Sequence, residues 1–199
     1  MQTNYKMLDN NTFATESGQI VLSDKKLRIL RPSLYGLGAL QRKIERFLGK
    51  GWDEKLYIQE QLLGGDIDAA VVMSTSPLLI VAYSEDLDCV AMLRFSESLV
   101  TEYDLREGSR LLTVNSYKSN QPYDPDLTIG PNHTSRWVGF HPLIADFLTE
   151  DMQQLKRRKR AITEDEWQLA TTMGRAYMKR YPDIARDGRP VFASIPAKI

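Results

Sequence analysis

Two hydrophobic runs, Leu78–Tyr83 and Cys89–Phe95, stand either side of the polar stretch Ser84-Glu85-Asp86-Leu87-Asp88. Each run is short, apolar and rich in β-branched or aromatic residues, and Pro77 precedes the first, so both read as buried strands of a central hairpin, 78–95. Period-2 alternation puts Cys89, Ala91, Leu93 and Phe95 on a dry face and Val90, Met92 and Arg94 on the other. The connection is too long for a two-residue primed turn, so turn chemistry does not set the register.

Further strands are expected at Ala69–Ser74 and Arg110–Tyr117, with an edge strand around Trp137–Phe140. Short connections favour an antiparallel meander over parallel pairing, which needs long crossovers. Ile20–Leu22 and Leu27–Leu30 suggest a small additional hairpin.

Helical spacing appears in Leu34, Leu37, Leu40, Ile44, Phe47 and Leu48 after Pro32, and again in Trp52, Leu56 and Leu63 before Gly64-Gly65. A short helix is expected after Ser96. Towards the C-terminus, Leu143, Ile144, Phe147, Leu148, Met152 and Leu155 predict a helix from about Pro142 to Lys156. A second helix runs from Thr163, where Thr163 and Glu166 match a capping box, to Tyr181 before Pro182. The fold class expected is α+β: a single domain over 19–199, with a mostly antiparallel sheet of about four to six strands, covering helices and a C-terminal helical hairpin. Residues 1–18 read as an irregular N-terminal arm.

Composition narrows the function. Lys plus Arg and Asp plus Glu both number 26, so no global attraction to nucleic acid or anionic membrane is expected. The sole cysteine, Cys89, makes no intramolecular disulfide. The polar stretch Met1–Gln19 lacks a secretory pattern, and no run approaches the ~20 apolar residues of a membrane span. A cytoplasmic protein without cofactor or membrane attachment is expected.

Four constellations carry candidate chemistry. The segment 119–137 is long and irregular, and within it Asn132, His133, Ser135, Arg136 and Trp137 gather donors suited to a small anionic ligand; His133 is the candidate acid/base. The same residue types also form ordinary loops. His133 and His141 do not match a compact metal-ligand spacing, so no metal is expected, and Cys89, on the dry face, behaves as a small hydrophobe rather than a nucleophile. The basic run Lys156–Arg160 offers contacts to nucleic acid, although it also suits a helix C-terminus and is followed by Glu164, Asp165 and Glu166. Finally, Glu85, Asp86 and Asp88 form an acidic hairpin tip fitted to a protein contact. The first function expected is therefore a non-catalytic protein-interaction module, homodimeric or with another protein. A small anionic-ligand-binding protein or enzyme on the 119–137 loop is the alternative, and nucleic-acid contact through 156–160 ranks third.

Overall fold

In the computed structural model, residues 17–35, 53–118, 124–133, 138–190 and 196–198 are described. The hairpin at the centre is β2 (Leu78–Ser84) and β3 (Cys89–Phe95), paired antiparallel from Leu78↔Phe95 to Ser84↔Cys89. Every residue of β2 is buried, and in β3 only Arg94 is exposed. Both faces are covered, which is why these strands read as continuous apolar runs rather than as alternation. Ile80, Ala82, Ala91 and Leu93 enter the larger core; Leu79, Val81, Val90 and Met92 enter a second one on the opposite face.

β1 (Asp66–Thr75) pairs with β2, and β4 (Arg110–Lys118) returns to lie on the far side of β1, with Ala69 opposite Leu112. The order β4-β1-β2-β3 is a Greek key rather than the expected meander. The connection from Phe95 to Arg110 includes the helix α3 (Ser98–Glu102), and it is long enough to carry the chain back past β1 and β2. The edge strand β6 (Val138–Ile144) adds to β4. At the other end, β7 (Ile184–Asp187) joins β3 in parallel and β8 (Pro196–Lys198) follows it; the two-residue β5 (Thr128–Ile129) also touches β3. The result is one α+β domain with a mostly antiparallel sheet, of eight strands among the described residues. The three strands that were not expected, β5, β7 and β8, are two to four residues long, too short to show a period.

Three local expectations change. The hairpin expected over 20–30 is instead the helix α1 (Asp24–Leu30): Ser23 Oγ accepts from the Lys26 amide, and Leu27 and Leu30 are buried three residues apart. In α2 (Glu54–Gly64), capped by Asp53, the buried face is Tyr57, Ile58, Gln61 and Leu62, whereas Leu56 and Leu63 are exposed. The stretch expected as one helix from Pro142 divides into the end of β6, a 3-10 turn at Ala145–Phe147 and α4 (Met152–Ala161). Pro142 is tolerated because it lies on an edge strand, and Asp151 starts α4 by accepting from the Gln154 amide at 2.8 Å. Of the helix expected from Pro32 to Leu48, a 3-10 turn at Pro32–Leu34 is seen; residues 36–52 lie outside the described residues.

The final helix, α5 (Glu164–Arg180), begins as the capping pattern requires, with Thr163 Oγ1 accepting from the Glu166 amide. The Glu166 side chain does not reach back to the cap; its Oε1 accepts from Ala69 N of β1 at 2.8 Å. α4 and α5 follow one another but serve opposite faces. Leu155 packs in the larger core, while Trp167, Ala170, Met173 and Tyr177 cover the second.

The close fit of α2 to β4 depends on Gly65. A Cβ there would lie 2.5 Å from the Asn115 carbonyl oxygen and 2.8 Å from Val114 Cγ1. Gly65→Ala is expected to lose about 1–3 kcal/mol of unfolding free energy, checked by urea denaturation, because backbone rather than a flexible side chain must yield.

Candidate functional site: an acidic cavity at the hairpin tip

The turn between β2 and β3 is built from its own side chains. Ser84 Oγ accepts from the Leu87 amide at 3.2 Å and is itself 2.8 Å from Tyr117 Oη. Leu87 is buried beneath the tip. Asp88 takes a positive φ of 44°, which aspartate tolerates better than most residues. Its carboxylate accepts from the Asn132 amide at 2.5 Å and from Tyr83 Oη at 3.3 Å, and its carbonyl accepts from Gly130 N at 2.6 Å. His133 Nδ1 lies 2.6 Å from the Leu87 carbonyl oxygen. The acidic tip and the 130–133 end of the irregular loop, 46 residues apart in sequence at His133 and Leu87, thus form one unit.

A cavity of about 610 Å³ opens beside this unit, bounded by the tip, β1 and the junction of α4 and α5. Glu85, Asp88, Asp165 and Glu166 supply carboxylates, Ile67, Ile162 and Leu169 supply apolar wall, and Arg158 is a cation on the lining. Behind the wall is a buried polar chain. Asp68, 4% exposed, accepts from Glu85 N at 3.3 Å and from Asn115 Nδ2 at 2.5 Å; the same amide group donates to the Tyr83 carbonyl at 2.8 Å.

Burial, and then the charge of Glu166, push the Asp68 carboxyl well above the usual range, against the hydrogen bonds that favour its charged form. Burial likewise raises Glu166, opposed by its bond from Ala69 N and reinforced by Glu85. Asp66 is pushed up to about 7, by burial first and by its neighbour Asp86 second. These acids stand close enough to raise one another's proton affinity.

The sequence candidates are distributed as follows. Glu85 and Asp86 are exposed at the tip, whereas Asp88 is buried and occupied in holding the loop. Asn132 lines the cavity; His133 is half-buried against the Leu87 carbonyl and is not on the lining. Ser135, Arg136 and Trp137 lie outside the described residues. In the basic run, Lys156, Arg157 and Arg160 are exposed; Arg158 donates to the Ser17 carbonyl and Lys159 to Asp146 Oδ1 at 2.5 Å. The His141 carbonyl accepts from Gln61 Nε2 at 2.6 Å. Cys89 is fully buried, and burial raises its thiol pKa, which opposes formation of a reactive thiolate. Among the described residues, no group of three or more His, Cys, Asp or Glu is placed to hold a metal ion, and no helix is long and apolar enough to cross a membrane.

Sequence reasoning missed Asp66, Asp68, Asp165 and Glu166 as members of one site. The Asp66-Ile67-Asp68 pattern, acids at alternate positions entering a strand, was the available signal. The part played by Glu166 depends on α5 standing on β1, which no local pattern discloses. Comparison with family models, with curated proteins and with solved structures gives no match.

Proposed function

We propose that this protein is a non-catalytic interaction module whose acidic cavity receives a cationic segment of a partner protein. One observation carries the reading: Glu85, Asp165 and Glu166 meet Ile67, Ile162 and Leu169 around a single cavity of about 610 Å³. A lysine or arginine side chain has that same division, with an aliphatic stem that packs on apolar wall and a charged head that seeks carboxylates. The exposed Glu85 and Asp86 extend the negative surface out to solvent, which favours encounter with a positively charged chain and makes it salt-sensitive.

The test is titration calorimetry with a peptide of three arginines separated by glycines, against the same peptide with citrulline in place of arginine. The arginine peptide is expected to bind and the citrulline peptide to bind more weakly. The double variant Glu85→Gln/Asp165→Asn is expected to weaken arginine-peptide binding about tenfold, or ~1.4 kcal/mol. Equal affinity for the two peptides, or an unchanged affinity in the double variant, would sink the proposal.

A further inference from the structure

The consecutive cations Lys156 to Arg160 end α4, and the residues that come next, Ala161 and Ile162, line the acidic cavity. The acids that follow in sequence are directed elsewhere. Glu164 pairs with Arg110 at 2.5 Å, Glu166 accepts from Ala69 N of β1, and Asp165 is on the cavity lining. Within the run, Arg158 donates to the Ser17 carbonyl and Lys159 pairs with Asp146 at 2.5 Å. Lys156, Arg157 and Arg160 are exposed.

Helical spacing places these exposed cations beside the cavity. Leu155 is buried in the larger core and fixes the side of α4 that faces the protein. Arg157 stands one turn before the lining residue Ala161, so the two are neighbours on the helix surface, and Lys156 and Arg160 form the adjoining row. An exposed basic strip and an acidic cavity therefore share a border.

We propose that the cationic segment received by the cavity is the basic run of a second copy of this chain, giving a two-fold dimer in which Arg157 and Arg160 of each molecule meet Glu85 and Asp165 of the other. The proposal rests on the reading of the cavity as a cation site and names its partner. A two-fold interface uses the same patch on both molecules, so that patch must carry both members of every contact. The strip and the cavity together satisfy this condition, and each contact is made twice. Because the two lie side by side, the assembly closes at two copies; a strip remote from the cavity would instead build an open head-to-tail chain. Lys plus Arg and Asp plus Glu both number 26, so two copies meet without the long-range repulsion of a strongly charged protein.

Sedimentation velocity of the full chain over a concentration series reads the association. A monomer–dimer equilibrium is expected, weakening at least about tenfold between about 50 mM and about 500 mM NaCl as the charges are screened. Arg157→Glu/Arg160→Glu and Glu85→Lys/Asp165→Lys are each expected to be monomeric, since like charges then face one another, and to form a heterodimer when mixed, since both contacts are then restored with reversed sign. Their urea midpoints establish that each is folded. Should the second variant fail to fold, the three-arginine peptide gives the same discrimination: it is expected to dissociate the wild-type dimer, and to bind the monomeric Arg157→Glu/Arg160→Glu at least as tightly as it binds the wild type. A wild type that stays monomeric yet binds the peptide overturns the second copy as partner and leaves the cavity reading standing. A dimer that persists in Arg157→Glu/Arg160→Glu, assemblies larger than two, or folded variants that do not recombine on mixing also overturn the proposal. A dimer lost in Arg157→Glu/Arg160→Glu, with no peptide binding to either protein, overturns the cavity as the seat of the basic run and the cation-site reading with it.

Discussion

Arg186→Met is expected to destabilise the fold by about 3–5 kcal/mol, the range for removing one partner of a buried ion pair. Arg186 is 1% exposed. Its Nε and Nη2 each lie 2.7 Å from an oxygen of Asp126, which is 3% exposed, in a bidentate pair; Nη2 also reaches Asp124 at 3.2 Å. Nη1 donates to the Phe140 carbonyl at 2.6 Å, and Asp124 in turn accepts from Phe140 N at 3.2 Å. Tyr177 Oη of α5 lies 3.5 Å from Asp126. Methionine fills much of the volume yet leaves two aspartates without their counter-charge, and that penalty dominates. Urea denaturation at pH 7 measures it. Adding Asp126→Leu to Arg186→Met is expected to recover part of the loss, because a neutral pair removes the stranded carboxylate. A loss below about 1 kcal/mol in the single variant would show that solvent reaches the pair.

Asn115→Ala is expected to cost about 2–4 kcal/mol, with three buried groups each losing a hydrogen bond worth ~0.5–1.5 kcal/mol net. Asn115 is fully buried and donates to both Asp68 and the Tyr83 carbonyl, while Thr113 Oγ1 donates to it at 2.8 Å. Alanine removes an acceptor for Thr113 and the donor that Asp68 most needs in its carboxylate form. Asp68 is thereby pushed further towards its protonated form, so the loss should be larger at pH 8 than at pH 5. Urea midpoints at the two pH values check the sign, and a loss that grew towards low pH would contradict it.

These two networks explain which parts of the molecule could be read from the sequence. Ile80 and Leu93 announced neighbouring strands because their environment is set by residues within a few positions. Thr163 and Glu166 announced a helix start for the same reason. The paired residues Arg186 and Asp126 are 60 apart in sequence, and each alone resembles an ordinary surface charge. Strand order was likewise hidden: nothing local to Arg110–Lys118 distinguishes pairing with β3 from pairing with β1. In α2 the apolar residues Leu56 and Leu63 suggested the wrong face, while Gln61, which looks solvent-seeking, is buried and donates to the Val114 and His141 carbonyls. Among the site candidates, the tip and loop were found as separate stretches. Their union through Asp88, and the contribution of Asp165 and Glu166 to the cavity, depended on tertiary packing.

The Arg186 guanidinium has a temporal implication as well. β7 is paired to β3 near one end of the strand order and β6 lies at the other, so this side chain fastens two margins of a curled sheet. During synthesis, Asp124, Asp126 and Phe140 leave the ribosome well before residue 186. A nascent chain that has reached α5 still lacks the bolt, and closure waits for the last strands to arrive. Proteolytic nicking just ahead of Ile184 should accordingly loosen Asp124–Ile129, more than fifty residues away from the cut.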